Sequence, residues 1–307
     1  MVLSIGEILV DIFIEGDNKL VFPGGAPFNV ASNIAHYDGD VSFYGAVSPD
    51  EYGSFLLDFA KKKLPLSYID VLDNRETTQA IVTLINGERS FKFKRDNGSD
   101  YLLNVRHLDK FDLSKISIVH IGSLMLSYLE GRNFFYQACE YIHQHSNCLI
   151  SFDVNYRDDI FNSEDEAKEI FLTAIKSADI VKFTEEELEL LTGHKNVLDC
   201  LKSLLNDKQV AVVTLGKDGS IFYSKNKYIK VPSYPLIPVD TTGAGDAFYS
   251  YFLYSLDQGL DINDDKQIIN ALRRANVAGG LATQKKGAID VVPTNKEIDI
   301  FLKEHEN

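Results

Sequence analysis

Cysteine is scarce in this chain: Cys139, Cys148 and Cys200 are odd in number and show no CxxC spacing. That pattern excludes a disulfide framework and a cysteine zinc site, and fits buried thiols in a reducing compartment. The seven histidines have no HxxH or HExxH spacing, so a protein-ligated transition metal is not expected. Basic charge is also short, with 31 Lys+Arg against 45 Asp+Glu and a formal net charge of -14. Such a balance disfavours nucleic acid and anionic membrane as partners, while local geometry still decides whether a phosphorylated ligand binds. No apolar run approaches the ~18 residues of a membrane span. The opening MVLSIGEILVDIFIEGD lacks a basic stretch and carries acids early, so no signal peptide is read there. A cytoplasmic location is the expectation. No internal repeat, low-complexity segment or Pro/Ser-rich linker divides the chain, and a single domain over 1–307 is the simplest division.

What is present is the make-up of a globular protein with a large core: 45% hydrophobic and 25% charged residues. Short β-rich runs, VLSIGEIL, VSFYGAV, ISIVHIG, CLISFDV, DIVKF and VAVVTL, alternate with amphipathic stretches such as EGRNFFYQACEYIHQH and EAKEIFLTAIKSA. Several of these runs are apolar on both faces. The pattern predicts an α/β fold with a mostly parallel sheet covered on both sides. Three capping boxes are read at Ser48–Glu51, Ser163–Glu166 and Thr184–Glu187, each a hydroxyl followed three residues later by Glu. Residues 78–96, TQAIVTLINGERSFKFKRD, break the alternation. Asn86-Gly87 signals a type I′ hairpin, and Phe91 and Phe93 alternate with Lys92 and Lys94. Such a hairpin either covers a site or closes an edge of the core.

The segment DTTGAGDAF, Asp240 to Phe248, opens an amphipathic helix with Phe248, Phe252 and Leu256 on one face. Glycines at a helix N-terminus attract an anion and let it approach the backbone closely. The segment is no Walker loop, and Phe248 replaces the third glycine of a dinucleotide fingerprint. Asp246 has two readings. It supplies negative charge to a helix N-terminus, or it is a general base for a hydroxyl attacking a phosphoryl group. In the second reading the amides of Ala244, Gly245 and Asp246 form an anion hole.

DTTGAGDAF closely resembles the C-terminal signature of the ribokinase-like, PfkB-type carbohydrate kinases, and the resemblance runs along essentially the whole chain. PGGAPFNVASNIAHYDGDVSFYGAVSPDEYG is similar to the family's N-terminal signature and SFDVNYRDDIF to its DxNxR segment. VKFTEEELELLTG, VVTLGKDGSIFY and ANVAGGLATQKKGA follow in the family's order. GEILVDIF, GERSFKFKRDNGSDYLL and VHIGSLML are most similar to the bacterial fructokinase branch.

The resemblance implies a ribokinase-like three-layer sandwich with a small β-sheet lid, formed approximately by 11–22 and 78–104. It implies ATP-dependent phosphorylation of a sugar hydroxyl, with D-fructose to fructose 6-phosphate as the first assignment. Asp246 becomes the general base and Gly243, Ala244 and Gly245 the anion hole. Asp11, Gly25, Asn29 and Asn155 fall on the sugar side, and Arg95 and Arg157 reach substrate or phosphates. Thr184, Thr214, Gly216, Gly219 and Asn276 fall on the nucleotide side. Glu187 acts on Mg2+ through water, and Asp240 and Thr242 match part of a monovalent-cation (K+) site. Two positions depart from the pattern: Thr184 replaces the Asn of NxxE, and Lys94 replaces a Tyr that commonly precedes the lid Arg. Exchange of the lid between subunits would give a homodimer.

Plainer roles stand beside these. Arg157 has Asp158, Asp159 and Glu164 as local ion-pair partners, Asn29 can serve as a helix-face amide and Asp11 as a strand-end residue. Thr184 and Glu187 form a capping box in any case, and His120 reads as a hydrogen-bonded core histidine. The rival substrate is 2-keto-3-deoxygluconate, whose carboxylate would engage Arg95 and Arg157. A catalytically inert sugar-binding regulator on the same fold would have no chemical need of Asp246.

Overall fold

The computed structural model describes residues 1–15, 18–85, 88–285, 287–289 and 291–305, with the backbone alone for Glu15 and 82–91. Asn86-Gly87 and the Phe91 side chain therefore lie outside the described residues. The first half of the chain runs β1 (Val2–Ile5), β2 (Leu9–Glu15), β3 (Asn18–Gly24), α1 (Ala26–His36), β4 (Val41–Val47), α2 (Glu51–Lys63), β5 (Tyr68–Val71), β6 (Gln79–Ile85), β7 (Glu88–Lys94), β8 (Ile118–Ile121) and α3 (Leu129–His145). The second half runs β9 (Leu149–Asp153), α4 (Glu164–Ile175), β10 (Ile180–Thr184), α5 (Glu185–Thr192), α6 (Val197–Leu204), β11 (Val210–Thr214), β12 (Ser220–Ser224), β13 (Lys227–Val231), α7 (Ala244–Asp257), α8 (Asp265–Ala282) and α9 (Asn295–His305).

Nine strands form one sheet in the order β13-β12-β11-β10-β9-β8-β1-β4-β5. It is parallel from β11 to β5, and β12 and β13 add an antiparallel edge. The doubly apolar strands follow from burial on both faces. Along β11, Val210 and Val212 enter one core cluster while Ala211 and Val213 enter the other. The first cluster holds side chains of α1, α2, α7, α8 and α9, the second those of α3 to α6, so two helix layers sandwich the sheet. The α/β, ribokinase-like expectation is met. Among the described residues no helix is long and apolar enough to cross a membrane. All three cysteines are free and buried.

A second sheet has the order β3-β2-β6-β7, with β2 and β6 parallel and both outer pairs antiparallel. This corrects VLSIGEIL as one strand. It is two, in different sheets, divided at Gly6, where a Cβ would stand 2.5 Å from Pro27 Cγ. Proline at the start of α1 thus needs the missing side chain of the β1 exit.

The capping boxes divide three ways. Thr184 and Glu187 form the full reciprocal pair on α5. Ser163 caps α4 through Glu166 N, but the Glu166 carboxylate turns to Asn162 instead. Ser48 does not cap α2. Its N–H donates to Thr77 Oγ1, and Asp50 is the cap, accepting from Gly53 N at 2.7 Å and from Thr77 N at 2.8 Å. One carboxylate therefore closes the helix and ties it to the chain entering the second sheet. Asp50→Ala should cost about 1–2 kcal/mol of stability by urea denaturation, while Ser48→Ala, whose hydroxyl has no partner among the described residues, should cost far less. Equal losses would remove Asp50 from the cap.

Candidate active site

The parallel strands end their carboxyl edge at a cavity of about 530 Å³, roofed by the second sheet. Crevices at this edge are the usual ligand sites of open α/β sheets. Leu9, Asp11, Ala80 and Phe93 line it from the second sheet; Asn155, Lys182 and Thr184 come from the strand ends. Phe93 is half-buried at the cavity while Lys92 and Lys94 are exposed, the alternation expected of this arm.

Three helices point their N-termini at this space. Gly25 precedes α1, Thr184 caps α5 and Gly243 precedes α7, and all three residues line the cavity. Their free N–H groups and aligned dipoles favour an anion. The glycines have distinct reasons. At Gly25 φ is +107° and a Cβ would meet the Glu7 carbonyl at 2.4 Å; at Gly243 φ is +74° and a Cβ would lie 2.7 Å from Ala288 Cβ. Backbone shape dictates both. Gly245 differs: its nearest neighbours would be Lys182 Nζ at 3.5 Å and Cε at 3.6 Å, ordinary contacts. The protein tolerates a side chain there, so the bare backbone is explained by something that approaches from the cavity.

Asp246 sits in the first turn of α7, half-buried at the cavity, and its Oδ2 accepts from Asn29 Nδ2 at 2.8 Å. Burial raises its pKa above the ordinary carboxylate value; the Asn29 hydrogen bond, Lys182 and Arg157 act against this. Asn29 therefore serves the carboxylate by one amide proton, and its buried Oδ1 has no partner among the described residues. Asp11 faces the same space, its carboxylate packed where a Gly24 Cβ would be. Burial, with Asp246 nearby, pushes Asp11 up to about 7. Asn155 lines the cavity with φ at +37°, rare for a non-glycine residue, and the exposed Arg157 guanidinium donates to the Tyr156 carbonyl. Among the described residues Arg157 makes no ion pair with Asp158, Asp159 or Glu164.

Some expected residues stand elsewhere. Arg95 does not line the cavity. Its guanidinium is buried against Asp100 (2.6 Å), Ser127 Oγ (2.8 Å) and the Leu124 carbonyl (3.2 Å), over the Tyr101 and Tyr128 rings. In this structure Arg95 therefore stands away from the expected ligand contact, with Nε, Nη1 and Nη2 each donating to protein acceptors below the second sheet. Thr214, Gly216 and Gly219 lie beyond the cavity wall, with Thr214 paired in register to Thr184. Asn276 is buried on α8, donating to the Val231 and Pro232 carbonyls. Asp240 accepts from Thr242 N and Oγ1 through one oxygen and from Gly287 N through the other.

Glu187 lines the cavity, yet Oε1 accepts from Tyr156 N and Oε2 from Thr184 N. Both oxygens hold backbone, and no described cluster of His, Cys, Asp or Glu could cage a metal ion. The lining thus suits a divalent ion carried in by a ligand's own oxygens more than one caged by side chains.

Two residues were not singled out from the sequence. Lys182, on β10, is buried at the cavity floor with Nζ 2.9 and 3.0 Å from the two oxygens of Asp153. Glu7, just past β1, accepts from Ala26 N at 3.2 Å, and burial pushes it up to about 8. The signals were present: a lysine inside a doubly apolar strand and an acid at the turn leaving the first one. His120 is the expected core histidine, bonded to Ser151 Oγ and pushed down to about 4 by burial.

The pfkB carbohydrate kinase family matches residues 7–295. The chain belongs to it. Fructokinase-1 of Zea mays is 34% identical over 311 residues, spanning 97% of this chain and 96% of that one. The fructokinase of Vibrio cholerae O395, solved with fructose, ADP and a calcium ion, superposes with a TM-score of 0.89 at 31% identity over 98% of both chains. The fructokinase of Xylella fastidiosa with bound ATP gives a TM-score of 0.89 at 28% identity, covering 100% of this chain and 99% of that one. This pfkB protein is accordingly an ATP-dependent carbohydrate kinase.

Glu7 and Asp11 give the pfkB protein a pH signature. Each holds its proton in the folded state to higher pH than when unfolded. Their stability contribution is thus full at low pH and is lost as pH rises, through about 8 for Glu7 and about 7 for Asp11. The melting temperature should fall between pH 5 and 9, and Glu7→Gln, which keeps an acceptor for Ala26 N, should flatten that fall. A variant curve parallel to the native one would contradict the burial of Glu7.

Proposed function

We propose that this kinase transfers the γ-phosphoryl group of ATP to the 6-hydroxyl of D-fructose. The observation that carries the reading is Asp246, lining the cavity and hydrogen-bonded by Asn29 in the first turn of the helix whose glycine N-terminus opens on it. In the proposed step the sugar oxygen forms a bond to the γ-phosphorus while the bond to the bridging oxygen breaks. ADP leaves with that electron pair, and Asp246 takes the hydroxyl proton. The amides of Ala244, Gly245 and Asp246 face the developing phosphoryl charge. Asp11 and Asn29, with Asn155 beside them, hold sugar hydroxyls, and Gly25 lets the ring approach. Mg2+ bound with the nucleotide would neutralise phosphate charge, with Glu187 reaching it through water.

The site's charges favour a neutral sugar over the rival keto acid. Glu7, Asp11 and Asp246 all line the cavity, and with Arg95 held by Asp100 the lining cations are Arg157, which is exposed, and Lys182, which is paired to Asp153. Thr214, Gly216, Gly219 and Asn276 belong in this reading to the nucleotide end, with Thr184 offering a hydroxyl where the family offers an amide. The cation assignment at Asp240 and Thr242 stays with the reading as a loop that K+ would tighten. The second sheet, as a lid, excludes water from the transfer. We place the reaction in the cytoplasm, in keeping with three free thiols.

ADP release with Mg-ATP across D-fructose, 2-keto-3-deoxygluconate, ribose, adenosine and fructose 6-phosphate tests the assignment. Selective turnover of fructose is expected, and preference for the keto acid would move the substrate. Asp246→Asn should lower kcat by roughly three orders of magnitude with ATP affinity kept; an unchanged kcat would remove the base. Gly245→Ala should fold with native stability and lose turnover. Gly243→Ala should instead lose more than about 1 kcal/mol of stability, since φ is positive there. Full activity in Gly245→Ala would sink the close phosphoryl approach.

A further inference from the structure

Phosphate sites usually bring a cation to the anion, yet the glycine loop of this protein carries an acid. The cation stands on a neighbouring strand. Lys182 lies one residue pair from the end of β10, in register with Asp153 on β9, and lines the same cavity as Gly243, Gly245 and Asp246. Its ammonium has three donors, and both of its hydrogen bonds go to the one carboxylate of Asp153. A donor is left without a partner among the described residues. The nearest atoms to the vacant Cβ position of Gly245 are Lys182 Nζ and Cε, so the ammonium borders the bare face of the loop.

We propose, resting on the phosphoryl-transfer reading above, that Lys182 is a catalytic residue whose ammonium contacts an oxygen of the γ-phosphoryl group as it passes from ATP to the sugar. Asp153 positions the side chain from below, and the loop amides hold the group from the other side. The charge is permanent across working pH. Burial alone would push the ammonium down, but Asp153, Glu187 and Asp246 together hold it above the ordinary lysine value. An ion pair that served packing alone would gain nothing from opening on the cavity, since a well-packed apolar pair fills such a place at similar or lower free energy.

Lys182→Met by itself strands the Asp153 carboxylate, so the informative variant is Lys182→Met with Asp153→Asn, which removes both charges. We expect the double variant to keep the native circular dichroism and a sugar KM within about threefold, and to lose kcat by about 10²–10³-fold. The loss should persist on the plateau of the pH profile. Thermal stabilisation by Mg-ADP with aluminium fluoride, a mimic of the phosphoryl group in flight, should disappear. Lys182→Arg covers the case in which the double variant does not fold: it keeps charge but displaces it, and should lose at least tenfold in kcat. Two results overturn the proposal: kcat within about threefold of native in either variant, or a deficit in the double variant that vanishes at high pH. The second would mean that Lys182 only eases ionisation of Asp246. Native protein silent toward every sugar would instead remove the sugar-kinase reading, and the fluoride complex, which needs no acceptor, would still test Lys182.

Discussion

Lys182 and Asp153 form an ion pair at the floor of the cavity, and the proposed chemistry above them is built on that pair. Asp246, Glu187, Glu7 and Asp11 line the same cavity. Burial raises the pKa of every one of these four carboxyls, because removal from water disfavours the charged form. For Asp246 the Asn29 hydrogen bond is the largest influence opposing this rise; the Lys182 and Arg157 charges act in the same direction and the Asp153 charge acts against them. A buried pair of this kind costs desolvation that its mutual attraction only partly offsets, so function is the better account of its place.

Geometry multiplies the effect. Parallel strands deliver every βα turn to one edge, and helices α1, α5 and α7 begin at that edge with their N–H groups uncapped or capped by single side chains. An anion entering the cavity meets three positive helix ends and one ammonium, and no backbone reorganisation is needed to present them. The second sheet is built differently because it must approach and cover this edge. Strand β2 leaves β1 only through the turn at Gly6, and Asp11 fits because Gly24 has no side chain. Arg95 belongs to this scheme as a structural member: at the end of β7 it bolts the hairpin to Asp100, Leu124 and Ser127.

Much of this was legible in the residues, for reasons that differ by element. The doubly apolar strands and the Thr184–Glu187 box are local patterns, and the fold obeyed them. The glycine loop at the start of α7 was legible because its shape requirement is local too. What failed was whatever depended on a distant partner. Ser48 lost α2 to Asp50 because Thr77, far along the chain, took the Ser48 position and the Asp50 carboxylate at once. VLSIGEIL could not announce that it leaves its sheet at Gly6 and that its last residue, Leu9, opens a strand of the other sheet. Arg95 read as a reaching arginine because the sequence does not say that Asp100 turns back to meet it. Lys182 was hidden in DIVKF, where strand composition masked the one residue that does not suit a buried strand.

The distribution of charge also orders the cavity into two chemistries. The wall formed by Glu7, Asp11 and Asp246 offers acceptors, suited to the hydroxyl protons of a neutral sugar. The floor and helix ends, with Lys182, Gly245 and the α5 and α7 amides, offer donors and positive potential, suited to phosphoryl oxygens. Asp246 lies on the border, its carboxylate on the acceptor side and its amide on the donor side. In the proposed transfer, proton acceptance and phosphoryl stabilisation would fall to two ends of one residue, their separation fixed by covalent geometry instead of by packing. On that reading an acid belongs in the glycine loop because the loop amides face the group being transferred while the side chain addresses the atom that receives it.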